Sequence, residues 1–235
     1  MGQYYNIALK KKGTKTFKFS DRSVDGEYMM AKLTEHSWLN NGTMEAICAL
    51  IENQGPTQLA WIGDYAEEED LVELKKDLAY LPVIEKAWKD GTKYISLTKA
   101  PSGYHSNTKI LINHDLKEYV VMSDYAVKVY NLQREVFFKK IEGKSREEQD
   151  REFQWYEWEV CFIAHPLSLL TAVGNDKGGG DYHSGYKDFK FVGRWAFDTI
   201  EIVDNDSGVI AELWNKKYKP LEVAFTERIT EKEEM

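Results

Sequence analysis

Apolar and polar positions alternate at the start of the chain. Tyr5, Ile7 and Leu9 share one parity, a basic Lys10-Lys11-Lys12-Gly13-Thr14-Lys15 run follows, and Phe17 and Phe19 resume the alternation. A period of two on both sides of a glycine-containing turn predicts a β-hairpin. Asp25-Gly26 predicts another turn, and Tyr28 to Leu33 reads as a short helix. Met44 to Ile51 has helical spacing, with Thr43 as its expected N-cap, and Gly55-Pro56 ends that unit. Leu59 to Ile62 is a short apolar strand broken by Gly63-Asp64-Tyr65. The acidic run Glu67 to Asp70 then precedes Leu71, Leu74, Leu78 and Leu81, as a helix dipole favours; Pro82 interrupts this pattern and Val83 to Trp88 resumes it.

The middle of the chain reads as a meander. Lys93 to Thr98 is a strand, Ala100 to Asn107 a loop, and Lys109 to Asn113 pairs with Glu118 to Met122 across a short turn. Tyr125 to Phe138 mixes β-branched residues with helical spacing and is left open between the two. The polar stretch 142–151 lacks the Pro and Ser of a linker and reads as exposed surface. Phe153 to Ile163 alternates like a strand, Pro166 to Val173 like a short helix. Trp195 to Val203 and Val209 to Trp214 read as a last hairpin, Glu222 to Arg228 as an edge strand, and 229–235 as a frayed acidic tail. The sum is an α+β fold, mainly antiparallel hairpins and meander with several short helices packed on the sheet, expected as a single globular domain over 1–235.

Composition narrows the function classes. Hydrophobic residues make up 43% and charged residues 30% of the 235 positions, as in ordinary globular proteins. A net charge of -8 argues against direct nucleic-acid binding, which needs a basic footprint, and suits docking on a basic protein. The sequence holds no apolar run of the roughly 20 residues that a spanning helix needs. Its polar, aromatic start lacks a signal-peptide core, so a cytoplasmic location is expected. Cys48 and Cys161 sit in apolar contexts without metal-pair spacing and read as buried thiols.

The chemistry-bearing candidates are few. Gly174-Asn175-Asp176-Lys177-Gly178-Gly179-Gly180-Asp181-Tyr182 needs a reason, because glycine loses entropy on folding and returns no side chain. Either the backbone turns through positive φ, or something approaches too closely for a Cβ. Successive N–H groups of such a run could form an anion nest. The run fits neither a phosphate loop, which needs Gly-Lys-Ser/Thr, nor a dinucleotide fingerprint, since it closes a helix instead of opening one. Its oxygens match no calcium loop. Trp61, Asp64 and Tyr65 form a second candidate, at the end of a buried strand. His36, inside Glu35-His36-Ser37-Trp38, and His183, two residues after Asp181, could join Asp64 and Asp181 as metal ligands if the fold brought them together. Arg194 reads as a surface ion-pair partner, and His165-Pro166 as the start of a helix.

The Met1-Gly2-Gln3-Tyr4-Tyr5 start, Glu35 to Trp38, Trp61 to Tyr65, Leu169 to Tyr182 and Gly193 to Asp198 carry a resemblance. Together they resemble a group of uncharacterised proteins from Gram-positive bacteria, their phages and mobile elements. That group has no assigned activity, so the resemblance transfers no functional residue. It implies a cytoplasmic setting in which proteins antagonise host defence by binding an effector or a nucleotide signal. The expectation is therefore a noncatalytic binding protein for a nucleotide-type ligand or a basic host protein, with no cofactor. Its site is expected at Trp61, Asp64, Tyr65, Asn175, Gly178, Gly179, Gly180, Asp181 and Tyr182. The alternatives are a metal-assisted hydrolase using His36, Asp64, Asp181 and His183, and a structural interaction protein.

Overall fold

Strands β1 (Tyr5–Lys11) and β4, in its chain place at Thr57–Gly63, pair antiparallel along their whole lengths at the centre of a mixed sheet. In the computed structural model, residues 2–28, 32–152 and 163–226 are described. The expected hairpin forms between β1 and β2 (Lys18–Val24), and β3 (Glu27–Tyr28) follows it. The helix expected at Tyr28 to Leu33 begins instead on strand β3, and 29–31 lie outside the described residues. β5 (Tyr94–Leu97) runs parallel to β2. β6 (Lys109–Asn113) and β7 (Glu118–Val121) make the expected antiparallel pair. Short β8 (Ala172–Val173) lies parallel to β4, while β9 (Thr199–Asp204) joins β6 to β4 with antiparallel pairing on both sides. β10 (Lys219–Pro220) closes the far edge beside β7, so the path reads β10-β7-β6-β9-β4-β1-β2-β3. The fold is α+β and the sheet mostly antiparallel, as the alternation predicted.

Alternation along the central strands divides the core between two faces. Tyr5, Ile7 and Leu9 of β1 join Leu59 and Trp61 of β4 in one cluster, under α1 (Gly42–Gln54) and α4 (Met122–Ile141). Ala8, Ala60 and Ile62 point the other way, against Leu71 of α2 (Glu68–Glu73) and Ile84 and Ala87 of α3 (Leu81–Ala87). The period of two is what allows one strand to serve both layers. Farther along the sheet, Leu111, Val120 and Ile202 face the first cluster. Ile110, Ile112 and Tyr119 pack on Leu213 of α6 (Ser207–Asn215). A further helix, α5 (Pro166–Leu170), is buried throughout.

Several sequence expectations are corrected. Asn41, not Thr43, caps α1: its Oδ1 accepts from the N–H groups of Thr43 at 2.9 Å and Met44 at 3.4 Å. The ambiguous 125–138 segment is the middle of the 20-residue helix α4. Val209 to Trp214 is helical, because Asp206 accepts from Gly208 N–H at 2.6 Å and opens α6 where a hairpin turn was expected. No strand occupies 221–226; Val223, Ala224 and Phe225 are instead buried in the main core. The strand expected at Phe153 to Ile163 falls, except for Ile163, outside the described residues, as do Cys161 and 229–235. No helix among the described residues is long and apolar enough to cross a membrane.

Candidate functional site

The parallel pairing of β8 with β4 delivers the glycine run beside Gly63-Asp64-Tyr65, since Ile62 lies opposite Val173. Both turns clasp the start of the chain. Gln3 donates its side-chain amide to Gly174 O at 2.7 Å and its backbone N–H to Gly179 O at 3.1 Å. Asp64 exchanges two bonds with Tyr4, its N–H to Tyr4 O at 2.9 Å and Tyr4 N–H to its Oδ1 at 3.2 Å. Gly180 O accepts from both the N–H and the hydroxyl of Thr34, at 3.0 and 2.9 Å. The first three sequence clusters, around 35, 64 and 178, therefore meet at one end of the sheet.

Inside the glycine run several donors are already engaged. Asn175 closes the loop by bonding Tyr182 in both directions, Nδ2 to its carbonyl at 2.6 Å and Oδ1 from its N–H at 2.9 Å. Oδ2 of Asp181 accepts from the N–H groups of Lys177 and Gly178, both at 3.0 Å. Its Oδ1 accepts from the Tyr5 hydroxyl at 3.2 Å. The nest thus holds an anion, and the anion is the chain's own carboxylate. Burial pushes the Asp181 carboxyl above its ordinary value, against these bonds that pull it down. Burial first, and the Asp181 charge second, push the Tyr5 phenol up as well.

The glycines answer to the same packing. Gly174 adopts φ +83°, and a Cβ there would lie 2.8 Å from Ala66 Cα. A Cβ on Gly178 would lie 2.7 Å from Gln3 Cβ and 2.8 Å from Gln3 N. The close approach that the run was expected to serve is made by the chain's own beginning.

The aromatic residues of the expected site divide in two. Trp61 is fully buried in the main core, and Tyr182 stacks on Tyr186 with ring centroids 4.6 Å apart. The Tyr182 hydroxyl is held by the carbonyls of Lys187 and Thr226. Neither ring presents a face on which a nucleobase could stack. Tyr65, 39% exposed, does reach solvent. Beside it the Lys177 ammonium spans Tyr65 O at 3.2 Å, Asp70 Oδ2 at 3.0 Å and Glu67 Oε2 at 3.4 Å. This pins the glycine run to the first turn of α2, where Glu67 and Asp70 also form a capping box.

The chain matches no protein-family model, no curated protein and no solved structure. His36, Asp64, Asp181 and His183 form no metal centre: among the described residues no group of three or more His, Cys, Asp or Glu side chains could hold an ion. Asp64 and Asp181 are occupied as above, and His183 accepts from Gly185 N–H at 3.1 Å while its ring lies against Tyr186. Burial lowers the pKa of His36, which favours the neutral ring. Arg194 makes the expected ion pair, with Glu118, at 3.0 and 2.6 Å.

One constellation was missed in the sequence. Cys48 on α1, His165 before α5, Ser106 and Glu45 meet in the core, although 117 residues separate the first two. His165 Nε2 lies 3.7 Å from Cys48 Sγ and 3.3 Å from Ser106 Oγ, and Ser106 Oγ donates to Glu45 Oε1 at 2.6 Å. This arrangement looks like a nucleophile with its base, yet the proton is in the wrong place. Nδ1 accepts from Leu167 N–H at 3.2 Å, which assigns the ring proton to Nε2. A nitrogen that already carries a proton cannot take one from a thiol. Burial also pushes the Cys48 thiol up, followed by the charge of Glu45. Both side chains have no exposed surface, so the network fastens α1 to α5 and meets no substrate.

Proposed function

We propose that this chain is a noncatalytic binding protein whose recognition surface is the end of the sheet bearing turns 63–70 and 174–181, and whose partner is a protein with a basic face. The observation that carries this reading is the filling of the glycine nest by Asp181. With those donors spent on an internal carboxylate, a nucleotide phosphate would have to displace a bonded anion. This end turns outward Tyr65, Glu67, Glu68, Glu69 and Asp176, all exposed, with Lys177 among them paired to Glu67 and Asp70. An aromatic anchor within an acidic rim is chemistry for a basic protein surface, the rim steering encounter and the ring burying area. The clasp on Gln3 and Tyr4 and the bonds within the run hold the two turns in place before binding, which lowers the entropy lost in a complex. A binder of this kind would suit a mobile-element product that occupies a host effector.

Native mass spectrometry of protein purified gently from its own host tests this reading. Wild type is expected to retain a protein partner that a Tyr65→Ala, Glu68→Lys, Glu69→Lys variant loses, with affinity reduced about tenfold or more and falling with added salt. Retention of a nucleotide as the sole companion would overturn the reading, as would a partner held equally by the variant.

A further inference from the structure

The other end of β1 and β4 is chemically opposite. Seven residues of β1 at about 3.3 Å each place it about 20 Å from the glycine run. There the β1–β2 turn, the start of β4 and the β6–β7 turn enclose a cleft of about 430 Å³, lined by Lys10, Lys11, Lys12, Thr14, His114 and Asp115 among others. We infer that this cleft binds a compact phosphorylated small molecule, a ligand distinct from the protein partner proposed above.

The charge argument comes first. Lys11 and Lys12 are exposed, and among the described residues neither makes an ion pair. The Lys10 ammonium lies over the Phe17 ring, 5.0 Å from its centroid, and makes no ion pair among the described residues. Three ammonium groups crowd one turn of a chain whose net charge is -8. A bound anion would offset this local positive charge and so be favoured in the cleft. Asp115, the one carboxylate among the described lining residues, already accepts from Thr199 N–H at 2.6 Å.

The walls are held firmly. Lys12 N–H donates to Pro56 O at 3.0 Å, and both the N–H and the hydroxyl of Thr14 bond Lys11 O, at 3.0 and 2.7 Å. His114 is fixed from two sides, by the Tyr218 hydroxyl and by Glu201 Oε2, each at 2.9 Å. A turn tied this way holds the backbone that carries the lysines in one place. The volume lies in the range of small-molecule sites, about 300–1,000 Å³. Among the described residues no Phe, Tyr or Trp lines it, so recognition comes through the phosphate group and not through stacking on a base.

Isothermal titration calorimetry with inorganic pyrophosphate, glucose 6-phosphate and an acidic peptide, each run at low and at raised salt on the whole protein, tests the assignment. Saturable binding of at least one phosphate probe is expected, weakened about tenfold by raised salt and about tenfold or more by Lys11→Glu with Lys12→Glu. Lys11→Gln with Lys12→Gln should give a smaller loss, and serves if the charge-reversed chain folds poorly. The Tyr65→Ala, Glu68→Lys, Glu69→Lys variant should bind the probe as wild type does, which separates this site from the partner surface. Absence of saturable heat with both phosphates up to about 10 mM, equal affinity in the lysine variants, or binding of the acidic peptide alone would overturn it.

Discussion

Replacing Gly174 by Ala should destabilise the protein by roughly 3 kcal/mol, lowering the melting temperature by about 6–12 °C for a chain of this size. Two independent effects add. The residue sits at φ +83°, a region that costs an L-residue about 1–2 kcal/mol. A Cβ would also press on backbone, 2.8 Å from Ala66 Cα and 3.1 Å from Ala66 N, where no flexible side chain can swing away. Pushing those atoms apart disturbs the junction between the glycine run and the first turn of α2, which is also where Lys177 is anchored. Gly13→Ala supplies the control: its φ is +86°, but nothing lies within 4 Å of the added carbon. That change should cost only about 1 kcal/mol, so the difference between the two measures the packing contribution. Urea denaturation of wild type and both variants decides the matter. A Gly174→Ala protein within about 0.5 kcal/mol of Gly13→Ala would mean that the run is not seated against Ala66, and the filled nest would fall with it.

The strengths and failures of reading this fold from sequence follow from how local each signal is. The β1–β2 hairpin and the β6–β7 pair were legible because alternation and turn residues lie within a few positions of each other. The antiparallel α+β class follows from those hairpins. The hairpin expected at 195–214 failed because Val209-Ile210 carries a strand signal, whereas Asp206 supplies a cap that tips the segment into α6. The strand order was not legible at all. β9 enters between β6 and β4 through pairings such as Ile110 with Val203 and Thr57 with Ile200, and no local pattern announces contacts across 90 residues or more. The glycine run was identified as unusual for a sound reason. Its cause was hidden because the atom that crowds Gly178 belongs to Gln3, at the other end of the chain. Trp61 and Tyr182 were expected to line a site with that run, but their rings are buried in the core. Cys48 and His165 carried no spacing signal that could have joined them.

The second large effect concerns His165 and acid. Burial alone pushes its pKa down to about 3, from an unfolded value near 6.5. The geometry explains why the ring resists a second proton. Nδ1 faces the Leu167 N–H as an acceptor, so an imidazolium would set donor against donor inside a fully buried pocket. As pH falls below about 6.5 the unfolded chain takes up a proton at this position and the folded chain does not. Stability tied to His165 is therefore fully present above that pH and is lost progressively down to about pH 3. The loss amounts to about 2 kcal/mol at pH 5 and about 3 kcal/mol at pH 4, relative to pH 8. Asp181 works in the opposite direction, because its folded pKa is raised and its contribution favours the folded state on the acid side. The comparison must therefore isolate the histidine. His165→Asn keeps an acceptor for Leu167 N–H at the helix cap but cannot titrate. It should lower stability at pH 8, through the smaller side chain, and abolish that share of the acid sensitivity. Urea denaturation of both proteins at pH 8 and pH 5 should show the wild type losing about 2 kcal/mol more than the variant. Equal losses would place a titrating, solvated histidine where the structure has a sealed one. The Cys48–His165 pair would then regain its candidacy as a reactive centre, because only the burial and the occupied Nδ1 deny it that role.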